Sequence, residues 1–359
     1  MRGRLLLGCA AVALLCLSLS SPVAADTNQT VRIAKISIPG VPLTSFDISW
    51  TDPTTSKYFL ADRSNKSVDI VDMRSNEVIG QVGGFIGFTG NNDTSGPDGV
   101  VTTSHDELWA GDGDSTVKVI DLRGPSIVAV ISTGGKKRAD EMIQDGVDNL
   151  VAVANNADDP PFLSIISVGT RSVTHKILFP DATDGIEQPA FDPATDLFYL
   201  AVPATEAHPG GEIAVIDPHT GTVMNRFVLP ACVPHGLVLG PGHNMLAGCN
   251  GSVHTVVFDD TTGAITGDFP QTGGGADEVW YNPSNGTYYT AANVLQRLGV
   301  IDANRPVFVQ NVQAGVNSHS VAADSVSNHI FVPISAPDPS CPRGCIAVYA
   351  PVPGSVTSP

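Results

Sequence analysis

The sequence has few positive charges: 19 Lys and Arg residues stand against 36 Asp and Glu residues, so the formal net charge is −17. A surface this acidic repels phosphate backbones and anionic lipid headgroups, so we expect neither nucleic acid nor a membrane as a partner. Charged residues make up only 15% of the chain, and no segment shows sustained helical periodicity. The 36 Gly and 27 Pro residues indicate many tight turns instead.

Short catalytic signatures are also missing. The chain contains no G-x-S-x-G elbow, H-E-x-x-H helix, phosphate-binding loop, dinucleotide-binding fingerprint or C-x-x-C-H haem motif. These absences argue against serine hydrolase, zincin, nucleotide-dependent and cytochrome chemistry.

One apolar run is long, and it lies at the N-terminus. Residues 5–19 follow the basic residues Arg2 and Arg4 and precede the small residues Val23-Ala24-Ala25. This order predicts a signal peptide over residues 1–25, cleaved near Ala25, and a secreted or periplasmic protein. Without that segment, 17 basic residues remain against 36 acidic ones, a formal net charge of −19.

Four cysteines remain after this processing, and an even number in an exported chain favours disulfides over free or metal-bound thiols. We predict that Cys232 pairs with Cys249 and Cys341 with Cys345. The chain also has five N-x-S/T sequons, which make a glycoprotein possible, at Asn28, Asn65, Asn92, Asn250 and Asn285.

A repeated phrase indicates the fold. It consists of an acid or His, a short apolar run, a tight turn, a second apolar run, a polar loop and a third strand. Seven copies start 51, 42, 47, 48, 42 and 42 residues apart, the length of a four-stranded propeller blade. Three copies are easily read: DISWTDPTTSKYFLAD from Asp47, EQPAFDPATDLFYLAV from Glu187 and DEVWYNPSNGTYYTAA from Asp277.

The last copy predicts how the ring closes. It offers three strands, over 320–323, 330–334 and 345–349, and the strand-like segment 31–38 can supply the fourth. Such a closure leaves no open sheet edge between the first and last blades. We therefore predict an all-β, seven-bladed β-propeller with four-stranded antiparallel blades over residues 26–351, followed by a flexible tail over 352–359.

The third strands VKVID and EIAVID and the opening Pro234-His235-Gly236 resemble the YVTN and NHL-type propeller repeats. The resemblance covers residues 31–351 and implies the propeller fold. Propellers of this kind include lactone hydrolases, a streptogramin lyase, oxidoreductase subunits and binding scaffolds, so the resemblance does not select an activity.

The longer connections fall on one face, the top, where the first strand of each blade starts at the pore. They span residues 84–96, 155–161, 203–211 and 333–344, whereas the opposite turns are short. Loops held by a rigid scaffold commonly carry function, although random drift in loop length would also give this pattern.

The seven openings place one titratable residue from every blade at the pore. This mouth ring consists of Asp47, Asp98, Asp140, Glu187, His235, Asp277 and His319. Carboxylates about 6 Å apart repel by roughly 3 kcal/mol at an effective dielectric of about 20, so the ring must bind a cation, hold protons or hold water.

The two histidines favour a divalent transition metal. His235, His319 and Asp277 form a ligand set for zinc, manganese or iron, which we favour over calcium. Asp47, Asp98 and Asp140, with Asn155 or Asn293 nearby, would instead suit calcium. Polar residues at these positions can also merely cap strands or hydrate the pore.

These observations lead to a hypothesis of a secreted metal-dependent hydrolase or lyase, lactonase-like by analogy, acting as a monomer on a small molecule. Glu187 or Asp140 would move the proton. Arg63, Arg138 and His208 are candidates for substrate binding, although the arginines could only offset the ring charge. The alternative is a non-catalytic module that binds a protein, glycan or metal ion through its top face.

Overall fold

The computed structural model describes residues 29–103, 106–251 and 254–352. The expected signal peptide, the sequon at Asn28 and residues 353–359 of the expected tail lie outside these ranges. Within them, no helix is both long enough and apolar enough to cross a membrane.

The described strands form seven antiparallel sheets of four strands each, which confirms the all-β, seven-bladed propeller. Blades one to three comprise β2 (Ser49–Asp52), β3 (Lys57–Asp62), β4 (Ser67–Asp72), β5 (Glu77–Gly83), β6 (Val100–Thr103), β7 (Glu107–Asp112), β8 (Thr116–Asp121), β9 (Ser126–Ser132), β10 (Met142–Asp145), β11 (Leu150–Asn155), β12 (Phe162–Ser167) and β13 (Ser172–Leu178).

Blades four to six continue the same order, and a short 3₁₀ turn at Asn92–Thr94 lies in the loop before blade two. Their strands are β14 (Pro189–Asp192), β15 (Leu197–Val202), β16 (Glu212–Asp217), β17 (Thr222–Val228), β18 (Pro234–Leu239), β19 (Asn244–Cys249), β20 (Thr255–Asp259), β21 (Ile265–Asp268), β22 (Val279–Asn282), β23 (Thr287–Ala292), β24 (Arg297–Asp302) and β25 (Val307–Gln313).

Blade seven joins the two ends of the chain. It contains β26 (Ala322–Ala323), β27 (Ile330–Ile334), β28 (Cys345–Val352) and, on the outside, β1 (Gln29–Ile36), which pairs antiparallel with β28. We call this pairing of β1 with β28 the seam of the ring. The Arg32 guanidinium stabilises the seam through 2.9 Å hydrogen bonds to Ser340 Oγ and to the carbonyl of Ala314. The predicted closure by the N-terminal strand is confirmed.

Aspartates at the ends of the third strands make the turns, as the repeated phrase suggests. In five blades the carboxylate accepts a hydrogen bond from the backbone amide two residues later, at 2.8 to 3.1 Å: Asp72 from Arg74, Asp121 from Arg123, Asp217 from His219, Asp259 from Thr261 and Asp302 from Asn304. This local bond ends the strand and starts the hairpin.

The core lies between neighbouring blades. One cluster packs Phe59 and Val68 of blade one against Val100 and Leu108 of blade two, and each of these residues is at most 1% exposed. Alternation along each strand sends apolar side chains to both faces of the blade, so every interface is filled from two sheets. The packing holds the blades, and therefore their pore-facing residues, in a fixed ring.

Both predicted disulfides are present. Cys232–Cys249 and Cys341–Cys345 have Cα separations of 4.6 and 5.7 Å and join residues 17 and 4 positions apart. Disulfides persist in oxidising compartments, so this finding fits an extracellular or periplasmic location.

The pore changes character along its length. Away from the mouth ring, a cavity of about 160 Å³ is lined by apolar side chains, including Trp50, Phe191 and Trp280. The rings of Trp50 and Trp280 meet edge-on with centroids 4.9 Å apart. The polar groups described next are therefore gathered at one end of the pore.

Candidate functional site at the pore mouth

The mouth ring is positioned by a repeated backbone bond. In four blades, the amide of the ring residue donates to a carbonyl of the second strand, at distances of 2.8 to 3.1 Å: Asp47 to Ala61, Asp98 to Gly111, Asp140 to Ala154 and Glu187 to Ala201. Equivalent bonds in different blades place equivalent side chains at the same height, which brings the titratable groups to one opening.

Two arginines occupy the space between the first three aspartates. Arg63 donates from Nη2 to Asp47 and Asp98 and, through Nε, again to Asp98 Oδ1 at 3.0 Å. Arg138 Nη2 lies 2.7 Å from Asp140 Oδ2, and its Nη1 lies 3.5 Å from Asp47 Oδ2. Asp47, Asp98 and Asp140 offer oxygens within 4.8 Å of one another, and the two guanidinium groups that lie against these carboxylates would oppose a calcium ion there.

The pKa values of Asp47 and Asp98 are shifted in opposite directions. Burial alone would raise the pKa of Asp47, but Arg63, His319 and Arg138 hold it well below its usual range. Burial raises the pKa of Asp98, whose Oδ2 is buried without a hydrogen-bond partner. Asp47 is therefore the ionised centre of this part of the ring.

His319 is held in the orientation of a metal ligand. Its Nδ1 lies 2.8 Å from the carbonyl oxygen of Asn317, which can only accept, so Nδ1 carries a proton. Nε2 lies 3.6 Å from Asp47 Oδ1. Burial opposes protonation of the imidazole, but Asp47 and Asp277 raise its pKa, so Nε2 would bind a metal only after releasing its proton. The imidazole stacks on Phe46 with centroids 4.7 Å apart. Nε2, Asp47 and Asp277 supply ligand atoms that all lie within 4.8 Å of one another.

His235 lies in a different set. Its Nδ1 is 3.2 Å from Asp277 Oδ1 and 3.6 Å from Glu187 Oε1, and Asn250 Nδ2 lies 3.2 Å from its Nε2. Among the described residues, no set of close ligand atoms contains both histidines. Asp277 belongs to both sets and connects them.

The Glu187–His235 pair has the properties of an acid–base couple. Burial raises the pKa of Glu187 to about 7, although the charge of His235 opposes the shift. Burial opposes protonation of His235, but the carboxylates of Glu187 and Asp277 raise its pKa to about 9. A carboxyl that titrates near neutrality can take up and release a proton under ordinary conditions.

A cavity of about 190 Å³ opens beside these groups. It is bordered by Asp47, Asp277 and His319 of the ring, by Arg63 and Arg138, and by the amides of Asn92, Asn293 and Asn317. A neighbouring groove of about 520 Å³ shares Asn92 and Arg138 with it and runs past Asn156 and Asp158 to Glu187. Two of the four long top loops, 84–96 and 155–161, thus border the mouth.

The three predicted substrate-binding residues lie in different surroundings. Arg138 borders both cavities, whereas Arg63 is only 3% exposed and is occupied by Asp47 and Asp98. His208 lies elsewhere, with Nδ1 2.5 Å from Glu212 Oε2, and Glu212 also binds Arg226. Arg63 therefore offsets ring charge, and His208 is not gathered into the mouth.

Sequence reasoning missed several polar groups near the mouth, including Asn250, Asn317, Glu141 and Glu278. Glu141 and Glu278 directly follow the ring residues Asp140 and Asp277. These two Asp-Glu pairs were the feature of the sequence that could have identified them. Both glutamates are at most 2% exposed. Asn250 belongs to a sequon, and its side-chain Nδ2 lies 3.2 Å from Nε2 of His235.

Comparison with known proteins supports the architecture. No protein-family model matches the chain, and no curated protein sequence matches it. Among solved structures, hydrazine synthase from Kuenenia stuttgartiensis is similar, with a TM-score of 0.69, 14% sequence identity, and coverage of 81% of this chain and 92% of that one. At this identity the likeness shows the β-propeller fold alone.

Proposed function

We propose that this protein is an exported hydrolase or lyase that acts, as a monomer, on a small organic molecule at the pore mouth. The proposal rests on two groups of side chains that share Asp277. The first, with Asp47 and His319, is a candidate metal site. The second contains the acid–base couple formed by Glu187 and His235. Both lie at one opening, beside a cavity large enough for a small substrate.

The residues around His319 fit a divalent transition metal. One imidazole nitrogen and two carboxylates are a familiar donor set for zinc, manganese or iron, and the contact from Nδ1 to the Asn317 carbonyl leaves Nε2 as the nitrogen that would bind a metal in place of its proton. A metal held there would polarise a substrate carbonyl or lower the pKa of a bound water. The guanidinium groups of Arg63 and Arg138 beside Asp47 would lower the affinity for any cation bound there.

Glu187 would carry the proton in this reaction. With a pKa of about 7 it is partly ionised at neutral pH, and the protonated His235 beside it stabilises the ionised form. Arg138, with a partly exposed side chain at the border of both cavities, would orient an anionic or carbonyl-bearing substrate. Asp140 is tied to Arg138 and would position it.

The test begins with metal analysis of the purified protein, followed by zinc titration and hydrolysis assays on five- and six-membered lactones. We expect one transition metal per chain, loss of metal in His319→Ala, and retained metal with lost turnover in Glu187→Gln. His208→Ala is the matched control and should change neither.

Other outcomes point elsewhere. Loss of metal in both His235→Ala and His319→Ala would show that one ion binds both histidines, as the ring order first suggested. A wild-type protein that takes up no metal and hydrolyses no lactone would favour the non-catalytic binding module.

A further inference from the structure

The pore holds an apolar cavity at the end away from the mouth ring. Its volume is about 160 Å³, and it is lined by the first strands of five blades, one and three to six, and by Gln188, which directly precedes β14. Half-buried apolar side chains make up most of the lining: Trp50, Ile143, Phe191, Leu239, Trp280 and Tyr281. A concave surface that gathers large apolar side chains from several elements is typical of a ligand-binding site.

Two hydrogen-bonded side chains lie between this cavity and the mouth ring. Gln188 and Glu278 each stand in the sequence between a ring residue and a residue that borders the cavity. Glu278 Oε2 accepts from the amides of Val321 and Ser49 at 3.2 and 3.3 Å, so this carboxyl joins blade six to blades seven and one. Of the residues that the structure describes, none lines both this cavity and the cavity or groove at the mouth. The apolar cavity is therefore a site of its own.

The lining of the apolar cavity carries no charge among the described residues. The chain as a whole has a formal net charge of −17, and aspartates and arginine line both cavities at the mouth. An ion that left water for the apolar cavity would lose its hydration and find no opposite charge beside it. A ligand of this cavity must therefore be neutral.

The volume of the cavity sets the size of its ligand. An apolar cavity of about 150 Å³ holds one benzene molecule, so 160 Å³ fits a single six-membered ring with a small substituent. The indoles of Trp50 and Trp280 meet edge-on with centroids 4.9 Å apart. Trp50 Nε1 donates to Thr102 Oγ1 at 3.0 Å, so this indole nitrogen already has its partner. Trp50 offers a ligand its apolar ring surface.

Gln188 adds one polar group to the cavity. Its Oε1 accepts a 2.6 Å hydrogen bond from the amide of Leu237, and this bond fixes the orientation of the side-chain amide. Nε2 is therefore the donor that remains, and among the described residues it has no hydrogen-bond partner. A donor without a protein partner at the border of an apolar cavity is complemented by a ligand that carries an acceptor.

We propose that this cavity binds one neutral, single-ring organic molecule whose oxygen acceptor takes a hydrogen bond from Gln188 Nε2. The ring of the ligand lies against the indoles of Trp50 and Trp280. This is a second ligand site in the pore, and it does not depend on the function proposed for the mouth.

The experiment titrates the protein with acetophenone, ethylbenzene and benzoate, each of which has one benzene ring. Acetophenone carries a carbonyl acceptor, ethylbenzene lacks the acceptor, and benzoate carries a charge. Trp50 and Trp280 are two of the three tryptophans, and the third, Trp109, is fully buried, so tryptophan emission reports on the cavity. We expect one acetophenone per chain by calorimetry with a saturable change in emission, a Kd about three- to tenfold weaker for ethylbenzene, and no binding of benzoate.

Four variants locate the bound molecule. Gln188→Met removes the donor and should weaken acetophenone to the affinity of ethylbenzene, whose own Kd stays within about twofold of wild type. Val238→Phe puts a larger side chain at the border of the cavity and should abolish binding of both. Val128→Phe is the matched control, since Val128 lies on β9 and is 47% exposed; it should change neither Kd. His319→Ala alters the mouth and should also leave both Kd values unchanged.

Several results would overturn the proposal. They are the absence of a saturable signal with wild type, equal affinities for benzoate and acetophenone, and loss of acetophenone binding in His319→Ala, which would place the ligand at the mouth. If Val238→Phe fails to fold, the ratio of the acetophenone and ethylbenzene affinities in wild type and in Gln188→Met still decides. A wild-type protein without metal or lactone hydrolysis would reject the function proposed for the mouth and leave this expectation unchanged.

Discussion

Arg63 Nε donates a 3.0 Å hydrogen bond to Asp98 Oδ1, and this contact joins blade one to blade two at the pore. Both side chains are nearly inaccessible to solvent, at 4% and 0% exposure. An ion pair at this depth is costly to break, because the remaining charge has no water to replace its partner.

Removal of Arg63 should therefore destabilise the protein strongly. Arg63→Gln leaves the carboxyls of Asp47 and Asp98 without compensation, and we expect a loss of about 3–5 kcal/mol in the free energy of unfolding, measured by chemical denaturation. Arg123→Gln is the control, since Arg123 pairs with Asp121 at the surface and is 73% exposed; its loss should be within about 0.5 kcal/mol. Equal losses in the two variants would contradict the assignment of Arg63.

Deletion of residues 26–40 should remove the strand that closes the ring. The variant loses all of β1 and the Arg32 contacts and leaves β28 as an open, apolar edge. We expect a much lower Tm and concentration-dependent aggregation, followed by calorimetry and light scattering. Arg32→Ala, which keeps the strand, should lose only about 1–3 kcal/mol. A deletion variant that melts like the parent would show that the seam is dispensable.

The pH dependence of turnover should report the Glu187–His235 couple. With Glu187 as base and His235 protonated, kcat/KM on a hydrolysed lactone should rise through about pH 7 and fall through about pH 9, as apparent values of the pair. Glu187→Gln should lose activity across this whole pH range. A profile without an inflection near neutrality would exclude Glu187 as the base.

Stability should fall as the pH rises, because of Glu278. Burial raises the pKa of Glu278 to about 8, so the folded protein holds a proton that the unfolded chain releases near pH 4.5. Between these values the free energy of unfolding should decrease by up to about 1.4 kcal/mol per pH unit from this group. Glu278→Gln keeps an acceptor and cannot ionise. The free energy of unfolding of this variant, relative to that of wild type, should therefore increase as the pH rises from about 5 to 8. A constant difference between the two would show that Glu278 does not titrate in this range.

The sequence by itself determined the number of blades, the members of the mouth ring and both disulfides. Each depends on local or periodic information: a repeat of 42 to 51 residues, a first strand that begins at the pore, and cysteines 17 and 4 positions apart. Strand alternation and turn chemistry act over a few residues, so they can be read without knowing the fold.

Only the tertiary structure decided how the ring groups pair. The two histidines separate because Nδ1 of His319 is taken by the Asn317 carbonyl, whereas Nδ1 of His235 faces Glu187 and Asp277. Arg63 bonds partners 16 residues before it and 35 after it, and Glu278 reaches Ser49 across a separation of 229 residues. Such contacts depend on side-chain orientation within a closed ring, and hydrogen bonds and charges act over only a few ångströms. Their pattern arises when the blades pack, and no sequence spacing encodes it.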